Sequence, residues 1–102
     1  MISQQNEYQF EWDARKAASN LRKHKIYFEQ AATVFKDKLA MTVYDEAYSL
    51  TEERWFTLGI DNLGNLLAIS HTFQDITDTI SRVRIISARL ATRQEQNYYE
   101  NS

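Results

Sequence analysis

The chain has 102 residues, enough for one domain built on one core over 1–102, and its 43% hydrophobic and 13% aromatic content argues against disorder. The absence of Cys excludes disulfides and thiolate metal sites and fits a reducing cytoplasm; with only two histidines, His24 and His71, a histidine-based metal site would need carboxylate help. The formal net charge of −2 argues weakly against a nucleic-acid protein, but it hides two basic segments flanking an acidic middle: Arg15, Lys16, Arg22, Lys23 and Lys25 stand against Asp13, while Asp45, Glu46, Glu52 and Glu53 cluster without a cation until Arg54.

The opening stretch MISQQNEYQFEW lacks the charged-then-apolar profile of a secretory leader, and no apolar run approaches the roughly 18 residues of a membrane span. Ala14, Ala17, Ala18 and Leu21 recur at helical spacing behind Asp13, a good N-cap, predicting a helix over 13–24. Phe28, Ala31, Ala32 and Phe35 predict a second over 28–36. The period then changes. Residues 39–45, 54–60, 66–73 and 81–87 are rich in β-branched and aromatic side chains and read as strands, with DNLGN as a hairpin loop. Placing the bulky sets Phe56, Leu58, Ile60 and Leu67, Ile69, His71, Phe73 on one buried face pairs Phe56 with His71; a loop one residue shorter sets Phe56 opposite Ser70. Thr92 and Glu95 form a capping box that opens a last helix. The expected fold class is α+β: a four-stranded antiparallel sheet with two N-terminal helices on one face and one C-terminal helix.

The stretch RVRIISARLATRQE carries the chemistry. Arg82 and Arg84 lie two apart and so share a sheet face, about 6.6 Å from each other, and guanidinium forks bind phosphate oxygens in pairs. In this register Trp55 lies on the same face and offers a ring for base stacking. The bland alternative is a solvated face of surface arginines. Arg89 reaches for phosphate or pairs with a carboxylate such as Glu95. His24 closes the first helix, where a cation suits the dipole, yet its ordinary pKa also suits proton transfer. His71 sits on the apolar parity of its strand and reads as a hydrogen-bonded core histidine. Arg54 is either a site cation or a partner of Glu52 and Glu53. No phosphate-cradling Gly loop, nucleophile elbow or metal-ligand set is present.

FEWD (10–13) with Lys16, Asn20 and Lys23–His24, then Phe28, Glu29 and Ala31, followed by RIISAR (84–89) with Ala91, Arg93, Glu95 and Tyr99, resembles the BrnT family, small bacterial toxins of type II toxin–antitoxin pairs. Glu53–Arg54 and Gly59 match in between. The chain departs at Lys25, where the family usually has a small residue, often Gly, and at Tyr27, where it often has Ser. The resemblance implies a RelE/ParE-like fold, a ribonuclease that stops translation without metal or cofactor, and cytoplasmic work on RNA. It also implies a BrnA-type ribbon-helix-helix antitoxin, through which alone the system touches operator DNA. A metal-free ribonuclease needs cations for the phosphorane, a base for the 2′-hydroxyl and an acid for the departing 5′-oxygen. Arg84 and Arg89 are the chosen cations, with Arg54 third. His24 is the first proton-transfer group, with His71 or Glu53 second. Lys23, Arg82, Trp55 and Tyr99 are assigned to RNA binding. Two other readings stay open: a non-catalytic module whose arginines dock acidic antitoxin side chains, and a ParE-like toxin that binds a topoisomerase.

Overall fold

A computed structural model describes residues 7–48 and 52–102; the first six residues of the stretch read for a leader lie outside them. The first element is a strand, β1 (Glu7–Trp12), in which Tyr8, Phe10 and Trp12 alternate with Glu7, Gln9 and Glu11. Helix α1 (Ala14–His24) follows at once, capped by the Asp13 carboxylate, which accepts from Arg15 N–H at 2.8 Å and Lys16 N–H at 3.1 Å. It ends at Lys25 with φ 61°, a left-handed conformation in which Gly is less strained than Lys. Helix α2 (Phe28–Ala32) has no side-chain cap from Tyr27 and tightens into a 3-10 turn over Thr33–Lys36. Then come β2 (Met41–Tyr44), β3 (Trp55–Ile60), β4 (Leu66–Asp75), β5 (Ile80–Leu90) and α3 (Arg93–Glu100).

These strands form one sheet in the order β1-β5-β4-β3-β2, with β1 parallel to β5 and the rest antiparallel. The expected four-stranded antiparallel sheet is therefore corrected to a five-stranded mixed one, and α1 and α2 form the crossover region after a strand rather than the start of the fold. The register between β3 and β4 is also corrected. Phe56 pairs with Ser70, and Trp55, Thr57 and Gly59 stand opposite His71, Ile69 and Leu67. Beyond Trp55 the helix-facing side of β3 carries the small residues Thr57 and Gly59, and at Gly59 the helical layer lies close. A Cβ on Gly59 would come within 2.8 Å of Val34 Cγ1 and 3.0 Å of Ala40 Cβ.

The core lies between the sheet and the helical layer. Phe28, Ala31 and Val34 pack onto Leu67, Ile69, Val83, Ile85 and Ala88, with the rings of Tyr8, Phe10, Trp12 and Phe35 around them. Fully burying each large apolar side chain is worth about 1.5–3 kcal/mol, so this layer dominates stability. A polar clamp fixes α1 against the sheet. Asn20, 4% exposed, accepts from Ala88 N–H at 2.9 Å and donates to Ala88 C=O at 2.8 Å and Ile26 C=O at 3.1 Å. It thereby serves as a partner for β5 beyond the last residue that β1 pairs.

Candidate active site

The arginines of β5 share one face because the strand contains a bulge. Ser70 pairs with Ser87, but His71 pairs with Ile85, leaving one extra residue on β5. Before the bulge Val83 and Ile85 point into the core; after it Ala88 does, and all three are 0% exposed. The parity slip turns Arg89 to the same side as Arg82 and Arg84, away from the core. On that side Glu11 of β1 and Thr72 of β4 stand directly opposite Arg84, and Gln74 stands opposite Arg82.

Arg82 and Arg84 line a cleft of about 340 Å³ together with Glu11, Glu52, Glu53, Thr72 and Gln74. One Arg84 amino group donates to a Glu52 oxygen. The other Glu52 oxygen lies 3.8 Å from Arg54 Nη2, and Arg82 Nε lies 3.5 Å from Glu11. Glu52 thus bridges two guanidinium groups. These side chains are 29–52% exposed, and exposed ion pairs contribute only about 0–1 kcal/mol. A phosphate could replace either carboxylate at small cost.

Arg89 is placed differently. Its fork grips Glu95 at 2.8 and 3.1 Å, while Glu95 also accepts from Thr92 N–H at 2.8 Å and Thr92 Oγ1 accepts from Glu95 N–H at 3.1 Å. The arginine side chain lies over the Phe56 ring, 5.7 Å from its centroid. Hydrogen bonding to Glu95 raises the Arg89 pKa, and the same bond holds the Glu95 carboxyl below its ordinary value against the opposing effect of burial. Arg89 therefore ties the capping box of α3 to β5 and does not line the Arg82–Arg84 cleft. The expectation that Arg84 and Arg89 clamp one phosphate is corrected on that geometry.

Trp55 is a second correction. Opposite His71, it points to the helical side of the sheet, its ring 5.2 Å from Tyr44 and 6.5 Å from Phe73, so it does not share the arginine face. His71 is fully buried, and burial lowers its pKa. Its Nδ1 lies 3.0 Å from Thr72 C=O, an acceptor only, so Nδ1 carries the proton. Nε2 then accepts from the Thr57 hydroxyl at 2.6 Å, and Thr57 in turn accepts from Thr42 at 2.8 Å. That chain satisfies a core histidine and leaves no nitrogen for substrate. Lys23 and His24 are exposed at the end of α1, and neither lines the cleft. The Tyr99 hydroxyl donates to Asp37 at 2.5 Å, which also accepts from Ile60 N–H at 2.8 Å and Leu39 N–H at 2.9 Å. Burial, then the bond to Asp37, pushes the Tyr99 phenol up to about 12. Burial alone would raise Asp37, but its three donors pull it below the ordinary value.

Of the sequence-assigned residues, then, the cleft unites Arg82, Arg84 and Glu53, with Arg54 joined through Glu52. Sequence reasoning missed Glu11, Gln74 and the part played by Glu52. The alternation in EYQFEW was the available signal for Glu11. Among the described residues no cluster of three or more acidic or histidine side chains is arranged to hold a metal ion, and no helix is long and apolar enough to cross a membrane.

The sequence model for the family described as ribonuclease toxin, BrnT, of type II toxin–antitoxin systems matches residues 12–95. The chain belongs to the BrnT family. The match spans the α1 clamp, the helical layer, the cleft arginines and the capping box. The family is a ribonuclease toxin family, and a type II system pairs its toxin with a protein antitoxin. The chain is also similar in fold to the crystal structure of the Brucella abortus ribonuclease toxin BrnT, with a TM-score of 0.57 and 24% identity over 80% of this chain and 94% of that one. None of the curated proteins matches.

Proposed function

We propose that this chain is a metal-independent endoribonuclease toxin that cuts RNA at the Arg82–Arg84 cleft, stops translation in the cytoplasm, and is neutralised by a BrnA-type ribbon-helix-helix antitoxin. Only that antitoxin would contact operator DNA. A RelE/ParE-like ancestry of the sheet belongs to the same reading. The observation that carries it is two guanidinium groups and several carboxylates in one open cleft, held by ion pairs weak enough for a phosphodiester to replace.

RNA brings its own nucleophile. The scissile phosphate displaces Glu52 from Arg84, and Arg84 with Arg54 stabilises the negative charge that grows on the phosphorane. The released Glu52 carboxylate takes the 2′-hydroxyl proton as the O2′–P bond forms. The P–O5′ bond breaks, and the departing oxygen takes a proton from water. This moves the base from His24 to a cleft carboxylate, with Glu53 beside it.

The test is cleavage of RNA by purified toxin in EDTA. Replacing Arg84 with Ala should lower the rate about 10²–10³-fold, the usual loss for one electrostatic donor, with the melting temperature little changed because the side chain is half exposed. Undiminished cleavage by that variant would remove Arg84 from the site. Glu52→Gln separates base from counter-ion: a base loses kcat, whereas a mere counter-ion gives tighter RNA binding at undiminished kcat. The pairing of each cleft arginine with a carboxylate also suits a binding toxin. Intact RNA with arrested growth would favour that second reading.

A further inference from the structure

The cleft is close to electroneutral, since Arg54, Arg82 and Arg84 stand against Glu11, Glu52 and Glu53. It exerts little long-range pull on a polyanion. Among the described residues the densest run of cations outside any ion pair lies on α1. Arg15 and Arg22 are seven residues apart, as are Lys16 and Lys23, so each pair falls on one line of the helix about 10.5 Å apart. All four side chains are exposed, and among the described residues none has a carboxylate in ion-pair contact. Asp13, the one acid of this segment, is committed to the backbone N–H groups of the first turn. The opposite side of α1 faces the body of the protein through Asn20 and Ala17.

A protein-docking surface concentrates aromatic and apolar residues at its centre and is depleted in Lys. Here the residue between the two cationic pairs is Ser19, and no apolar group interrupts the stripe. The chemistry fits a chain of phosphates, which needs charge and no apolar contact. We propose that the basic face of α1 is a capture surface for the RNA backbone, separate from the cleft where the phosphodiester is cut. Its purpose rests on the ribonuclease reading above; its existence does not.

The full-length chain carrying Arg15→Gln, Lys16→Gln, Arg22→Gln and Lys23→Gln tests this, since Gln keeps helix propensity and an unchanged circular dichroism spectrum and melting temperature confirm the fold. The probe is a fluorescent 2′-O-methyl oligoribonucleotide, which cannot be cleaved, followed by anisotropy over a salt series. Four phosphate contacts on a single strand give a log–log slope near −2.8 from about −0.7 each, so the variant should lose most of that slope and about a hundredfold in affinity at low salt. With cleavable RNA the loss should fall on KM more than on kcat. An unchanged slope and affinity overturn the proposal, as does a variant that keeps RNA affinity but loses its antitoxin. If the parent protein binds the probe with a steep slope yet cuts no RNA, the capture surface stands and the nuclease reading falls. If the parent does not bind, the capture surface falls.

Discussion

Replacing Asn20 with the isosteric Asp is the sharpest test of how the α1 clamp works. The amide makes its three bonds to Ala88 N–H, Ala88 C=O and Ile26 C=O while 4% exposed. A carboxylate keeps the first and turns its second oxygen against the two carbonyls. Two bonds worth about 1 kcal/mol each disappear, two buried acceptors lose their donor at about 1–3 kcal/mol each, and a charge is left in the core. The sum, about 4–8 kcal/mol before the charge is counted, approaches the roughly 5–15 kcal/mol that holds a domain together. Asn20→Ala removes all three bonds without adding a charge. With water free to enter the space left and satisfy the orphaned groups, each bond counts at its net value of about 1 kcal/mol, for a cost of about 3 kcal/mol, or about 12–24 °C in Tm for a chain of this size. Asp should therefore be worse than Ala at neutral pH. Burial raises the folded-state pKa of the new carboxyl, so the folded state binds the proton more tightly, and the Asp penalty shrinks as pH falls toward about 4. Urea denaturation of both variants at two pH values measures this. A carboxylate within about 1 kcal/mol of wild type at pH 7, or an Asp–Ala difference that ignores pH, refutes the hydrogen-bond account of the clamp.

Lys25→Gly relieves the left-handed backbone at the end of α1 and should stabilise by about 1 kcal/mol, seen as a higher Tm in thermal melts. His71 is kept neutral by burial, so the unfolded chain binds the proton more readily. Stability is full above about 6.5 and falls as pH drops below it, by up to about 1.4 kcal/mol per pH unit, and NMR should find the Nδ1–H tautomer. Tyr99→Phe removes the bond to Asp37 and should cost about 1.5 kcal/mol at neutral pH. Because the folded phenol titrates near 12, that contribution is present below about 10 and is lost toward 12; ultraviolet titration should show one late tyrosine.

Local chemistry was legible in the sequence. Asp13 and the Thr92–Glu95 box cap the helices they were expected to cap, and the last four strands fall where β-branched residues cluster. What failed was the assumption that bulky residues mark the buried face. On β3 the buried positions are Thr57 and Gly59, because His71 needs a hydroxyl and the 3-10 turn needs room. Leu58 is nonetheless buried on the other face, where it and Phe56 border a groove beside α3. β1 was missed although its alternation is regular, and with it the acidic partner of Arg82. Glu52 meets Arg84 across 32 positions of chain, and no spacing rule reaches that far.

Ile86 is a spare position. Between Ser81 and Leu90 it is the residue that faces no single partner on β4, so deleting it would leave Ile85 inward, Ser87 outward, Ala88 inward and Arg89 outward, as they are now. Most one-residue losses from a central strand invert everything downstream; this one would only straighten a local curl. The chain could be shortened there without reshuffling its two surfaces, and the change would register as a swing of the carboxy-terminal helix across the sheet.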